Sequence, residues 1–193
     1  VNKVISLGLA DTNNLCGALE FSEKLSKVGT HPIIGTQINL KDKNIEGKIT
    51  LYAKTEEGYK NLTRLSSLSY LNTKGDENPG CKFEDLTANN KDIILLTGSY
   101  RDFFGQLFKF NKIKDFNEKI NLLKNHFRDR IYFEIQRHNE IEEKNFETFI
   151  LNNSNRLQIP LIATQEIFYI NEEMYEAHDA LTCIGEKNFI DDK

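Results

Sequence analysis

Three stretches of the chain repeat one order of residue types: an apolar run suited to a strand, a polar cluster at its end, and then a helix. They are Ile5–Gly17 (ISLGLADTNNLCG), Ile131–His138 (IYFEIQRH) and Leu161–Tyr169 (LIATQEIFY). Strands that alternate with helices at this spacing imply βαβ units and a largely parallel sheet. In a β/α barrel the reactive groups stand at the C-terminal ends of the strands, so polar clusters there mark a site. Here the clusters stand in the right place but lack most of the side chains that metal chemistry needs.

The remaining elements follow from periodicity and punctuation. Val1–Leu9 reads as an opening strand, and Asn13 or Asn14 as the cap of a helix with Leu15, Ala18, Leu19, Leu25 and Val28 mostly on one face, ended by Gly29. Pro32–Leu40 reads as a buried strand, and Ile49, Leu51 and Ala53 as alternate residues of a half-exposed one. Thr55 caps a helix to about Leu71, and Asn72–Asp85, with Gly75, Pro79 and Gly80, reads as a loop. A buried strand over Asp92–Thr97 and a short Phe-rich helix over 101–109 come next. Then Phe116, Ile120, Leu123 and Phe127 form a single-sided helical stripe. Strand Arg130–Arg137, a helix burying Phe146, Phe149, Ile150 and Leu157, and strand Leu161–Thr164 follow. A last helix starts near Asn171 with Met174, Ala177, Leu181 and Ile184 inside.

Bulk properties narrow the class. The 193 residues are 39% hydrophobic and 28% charged, the balance of a globular protein. A net charge of −4 argues against an autonomous nucleic-acid binder. Residues 109–130 are nonetheless basic, so any DNA contact is expected to lean on Lys112, Lys114, Lys119 and Lys124. Cys16, Cys81 and Cys183 have no zinc-type spacing and make no even disulfide set. No apolar run approaches the ~18 residues of a membrane span, and no signal-peptide pattern opens the chain, so no membrane partner and a cytoplasmic location are expected.

Spacing alone leaves many α/β enzymes open; particular strings narrow the field. The run Asp11-Thr12-Asn13-Asn14-Leu15-Cys16-Gly17-Ala18-Leu19-Glu20-Phe21 resembles the second motif of the PHP (polymerase and histidinol phosphatase) domain. The resemblance is closest to the version at the N-terminus of bacterial DNA polymerase III alpha subunits. Further matches follow in family order: Pro32–Gly35, Glu57–Leu62 with Leu65-Ser66-Ser67, Glu134–His138, and His178–Gly185. Together they cover nearly the whole chain.

The resemblance implies an α/β fold, a distorted seven-stranded β/α barrel of TIM-like type, of which residues 1–193 would be one domain fragment truncated at both ends. It also implies up to three metal ions at the strand ends, hydrolysing phosphoesters. Carried over residue by residue, that site mostly fails. Asp11 matches, but Thr12 stands for the ligand His that should follow, Gln37 for a ligand Glu, and Phe168 for a ligand His. His138 alone keeps a ligand type where one is expected. Asp11, Thr12, Gln37, His138 and Phe168 are therefore read as vestigial positions, with no functioning catalytic, cofactor-binding or metal residue and no cofactor. Plainer roles stay open beside this: Asp11 and Asn14 as helix caps, His138 as a hydrogen-bonded strand-end residue, Glu134 and Gln136 as partners of backbone groups. His31 and His126 suit loop or cap roles, and His178 a local hydrogen bond. Phe168 is expected to fill the old polar hole as packed core.

The family implication is a segment of a replicative DNA polymerase, a nucleotidyltransferase, in which this chain is an inactive platform. Its partners would be the rest of the alpha subunit, a proofreading exonuclease subunit, and DNA through the full-length protein. Magnesium would sit at a palm domain outside this chain. The alternative is a free-standing PHP-type metal-dependent phosphoesterase, against which the missing ligands count.

Overall fold

The computed structural model describes residues 4–75 and 77–190. The expected opening strand thus lies partly outside the described residues at positions 1–3, and the chain's end at 191–193 lies wholly outside them. The chain divides into one compact unit ending at Ala163 and a second starting at Thr164.

The first unit is a six-stranded sheet with its strands in sequence order. They are β1 (Ser6–Thr12), β2 (His31–Asp42), β3 (Ile45–Ala53), β4 (Ile93–Leu96), β5 (Ile131–Ile135) and β6 (Leu161–Ala163). Helices α1 (Ala18–Lys27), α2 (Glu56–Leu71), α3 (Phe83–Ala88), α4 (Phe103–Lys109), α5 (Ile113–Phe127) and α6 (Glu143–Leu157) connect them. This is the partial β/α barrel that the motif order implies. β1 pairs parallel with β2, and β4, β5 and β6 pair parallel in series. β3, however, runs antiparallel to both β2 and β4. Among the described residues five of the six strands therefore run the same way, so the largely parallel sheet expected from the spacing holds, with β3 as its exception. Asp42 opposes Ile45 across a two-residue turn in which Lys43 takes a positive φ, and so short a connection can join only antiparallel strands.

Successive residues of a strand face opposite sides of the sheet, and here the two sides differ in chemistry. One side carries Ile38, Leu40, Ile49, Leu51, Ile93, Leu95, Ile131 and Phe133, all fully buried beneath the helices. The register places Gln37 opposite Thr50, and Asn39 opposite Lys48, on the other side. Tyr52, Tyr132 and Glu134 share that second side by the same alternation.

Most helices form for the reasons visible in their residues. The Thr55 hydroxyl accepts from Gly58 N and starts α2. Phe116, Ile120, Leu123 and Phe127 of α5 are all fully buried. The Phe116 ring packs edge-on against Phe104 and Phe149 at 5.4 and 4.9 Å. Gly29, at φ +77, ends the turn after α1, with Thr30 N returning to Leu25 O.

Three expectations fail. Gly17, not Asn13 or Asn14, precedes α1; Asn14 instead accepts from Cys16 N, and Asn13 is buried. Only Ala18 of the α1 stripe is buried, with Leu19 and Val28 exposed, and α1 packs mainly on β2. The loop expected to Asp85 ends sooner, since Phe83 and Leu86 bury one face of α3, whose first turn Asp85 caps at Lys82 N; Asp76 within that stretch lies outside the described residues.

The second unit holds a 3₁₀ turn at Glu172–Met174 and helix α7 (Tyr175–Glu186). Met174, Leu181 and Ile184, expected inside, are exposed. No helix among the described residues is long and apolar enough to cross a membrane.

Phe116→Ala removes a ring that joins α4, α5 and α6, and should cost about 3–5 kcal/mol in denaturant unfolding. Leu19→Ala should stay within about 0.5 kcal/mol, as for a surface site. A small effect of the first or a large effect of the second would show that the helix-covered core is misplaced.

Candidate functional site

The polar side of the sheet collects two groups of the residues singled out from the sequence. The first lies where β1, β2 and β3 run side by side. Thr12 opposes Gln37 across the parallel β1–β2 pair, and its hydroxyl donates to Gln37 Oε1 at 3.0 Å. The Lys48 ammonium, one strand further, donates to the same oxygen at 3.1 Å. Sequence reading missed Lys48. The one signal for it was its place one turn of the pleat before Thr50 and two before Tyr52, on the same side as Gln37.

Asp11 is not part of this group. As the neighbour of Thr12 it faces the other side of β1, where a Cβ on Gly17 would stand 3.3 Å from its Oδ2. Its backbone carbonyl accepts the buried Thr36 hydroxyl at 2.7 Å. The motif's Asp-Thr pair is thus split between two environments by strand alternation alone.

The second group follows β5. Glu134 is buried, and its Oε2 accepts from Gly98 N at 3.0 Å while Oε1 accepts from Gln136 Nε2 at 3.0 Å. Gln136 Oε1 in turn lies 3.0 Å from His138 Nε2. The loop beyond is pinned by Glu143, whose two carboxylate oxygens accept from His138 N at 2.7 Å and Asn139 N at 3.0 Å. Arg137 forks onto Glu147 at 3.0 and 2.7 Å, and the guanidinium holds that carboxyl below the usual carboxylate range. Arg101 also pairs with Glu140. The cavity among Ser99, Tyr100, Glu134, Gln136 and Glu143 measures only about 10 Å³, the lower limit for one water.

Tyr52 stands on the same side of the sheet as both groups. Its ring lies over Gly35 and Gly8, where a Cβ would meet it at 2.5 and 3.4 Å. Glycine at 35 is therefore required by the close approach of β3. Burial first, and then the nearby Glu134 charge, push the Tyr52 phenol above its ordinary range.

A divalent ion at this face would need carboxylates or neutral imidazoles converging on it. Thr12 and Gln37 offer neutral oxygens already engaged in hydrogen bonds, and Lys48 brings a positive charge to within bonding distance of them. Among the described residues no three His, Cys, Asp or Glu side chains gather into a metal-holding cluster. Thr12, Gln37 and Lys48 by themselves offer such an ion no anionic oxygen.

Phe168 belongs to the second unit and is not packed core. It is 63% exposed and lies against the His178 ring at 5.2 Å, with Tyr169 against the same imidazole at 5.5 Å. β6 ends at Ala163, five residues before Phe168. His178 serves this aromatic cluster. The basic stretch also differs from expectation. Lys119 pairs with Asp42 at 2.9 Å over the Phe83 ring, and Lys124 donates to Leu157 O, so two of its four lysines brace the fold.

A family model described as the PHP domain matches residues 2–138. Among curated relatives, the DNA polymerase III subunit alpha of Rickettsia felis is 37% identical over 95% of this chain and 15% of its own length. That of Rickettsia conorii is 36% identical over 100% and 17%, and that of Caulobacter vibrioides 32% over 97% and 17%. The chain therefore spans about one sixth of the length of these relatives. A solved structure from Bifidobacterium adolescentis, described as a metal-dependent phosphoesterase, superposes with a TM-score of 0.52. It shares 11% identity, over 83% of this chain and 76% of that one, and shows likeness of fold alone.

Glu134→Ala would leave Gly98 N without its buried acceptor and should cost about 1–3 kcal/mol. Phe168→Ala should cost no more than about 0.5 kcal/mol. Denaturant melts of the two variants check the contrast, and the reverse order would mean that Phe168 is core after all.

Proposed function

The chain belongs to the PHP domain family, and from that premise we propose that it is a segment of a replicative DNA polymerase III alpha subunit, acting there as a platform without phosphoesterase activity. The likeness to alpha subunits across nearly the whole chain supports the replicative setting. The observation that carries the inactive reading is Gln37, a neutral amide held between the Thr12 hydroxyl and the Lys48 ammonium. A water needs a bound divalent ion to become a strong nucleophile near neutral pH, and this set of groups gives such an ion no anionic ligand.

Nucleotide addition then belongs to a palm domain outside this chain, with its own magnesium, and DNA meets the chain only as part of the longer protein. The platform helps hold the proofreading exonuclease subunit, and the compartment is the cytoplasm. A pinned loop supports that role: Glu143, Arg137 with Glu147, and Arg101 with Glu140 hold residues 136–142 against the unit.

The test uses the full-length subunit that carries this chain. Phosphodiesterase activity on a chromogenic diester with added manganese should stay at background and be unchanged by His138→Ala. The subunit should co-elute with the exonuclease subunit, and a version lacking this segment should not. Manganese-dependent hydrolysis abolished by His138→Ala would support the phosphoesterase alternative instead, and exonuclease binding that survives removal of the segment would end the platform role.

A further inference from the structure

We infer that Lys48 is the resident cation of the polar face, a fixed positive charge that does the structural work of a metal ion and keeps one out; this rests on reading the face as a retired metal site. The geometry is specific. Three adjacent strands each send one side chain to a single point: Thr12 from β1, Gln37 from β2 and Lys48 from β3. The convergence is on one oxygen, Gln37 Oε1, which accepts both donors at 3.0 and 3.1 Å. The ammonium thereby fixes the amide oxygen that also accepts the Thr12 hydroxyl, so one cation orders a contact that spans three strands.

Lys48 is placed for this by the pleat and not by chance of a long side chain. It lies opposite Asn39, two residues along β2 from Gln37, on the half-buried side of the sheet. Half-burial strengthens its field on whatever occupies position 37. An amide there costs little beside the ammonium. A carboxylate there would form an ion pair with Lys48, so its charge would already be neutralised before any divalent ion arrived. Restoring an acid at 37 would thus restore a salt bridge and not a metal ligand.

The experiment is a charge cycle on the full chain, read as the thermal midpoint without and with excess manganese chloride. Gln37→Glu is placed in three backgrounds: Lys48, Lys48→Arg and Lys48→Met. The expected result is a rise of about 2 °C in the two charged backgrounds, and a fall in Lys48→Met, where the new carboxylate keeps only the neutral Thr12 hydroxyl and has no cation. If Lys48→Met does not fold, Lys48→Gln removes the same charge. An effect of Gln37→Glu equal in sign and size in all three backgrounds would overturn the inference. So would a manganese-induced rise in the Gln37→Glu protein while Lys48 is present; no such rise is expected. Stoichiometric metal in the unmutated chain would instead strike at the retired-site reading, which separates the two failures.

Discussion

The pairing of β2 with β3 is the constraint on which the first unit depends. Its register sets Ile38 against Ile49 and, on the other side of the sheet, Gln37 against Thr50. A slip by one residue would send every side chain of a strand to the opposite face. Gln37 or Lys48 would then enter the apolar layer beneath the helices, and Ile38 or Ile49 would face the polar side. The cost of burying an amide or ammonium without partners is large enough to forbid that state. Gly35 enforces the same register from the other direction, because only a residue without Cβ lets Tyr52 and the Leu51 carbonyl come so close.

With the register set, the polar face can be held by its own groups. Glu134 is the buried anion of that face, and backbone and side-chain N–H groups satisfy it. Lys48 is the cation, and it reaches Gln37. Each charge sits in a hydrogen-bonded setting, the condition under which buried or half-buried charge is tolerable. A phosphoesterase face of the same fold would instead gather like-charged carboxylates, which are stable together only around a metal. The two arrangements ask for different residues at the same backbone positions, and Thr12, Gln37 and Lys48 answer for the first.

Much of this was legible in the residues. Periodicity located the core of α5 and the strands β2, β4 and β5, since a fully buried stripe leaves a strong pattern. The ordered motifs identified the PHP relationship that the family comparison supports. What stayed hidden depends on three-dimensional neighbours. The antiparallel β3 was missed because its turn, Asp42-Lys43-Asn44, contains no glycine. The exposure of Leu19, Leu181 and Ile184 could not be read from amphipathic spacing, which shows that a face is apolar but not that anything covers it. Asp11 and Thr12 are adjacent in the motif and were read as one site, yet a strand turns neighbours to opposite sides. Lys48 carries no motif at all; only the cross-strand register brings it to Gln37. Phe168 was read as packed core because it follows β6 and stands for a ligand histidine, yet it is exposed, and its motif position carries no signal of that.

The central claim is that the polar face stands on hydrogen bonds and Lys48, without a metal ion. The most direct measurement is the thermal midpoint of the purified chain after exhaustive treatment with a chelator, set against the same chain with excess zinc or manganese. A face that carries its own cation predicts midpoints that agree within about 1 °C, well under the shift that losing even 1 kcal/mol gives in a domain of this size. A clear drop on chelation, restored by adding the ion back, would show that a metal supports the fold and would contradict it.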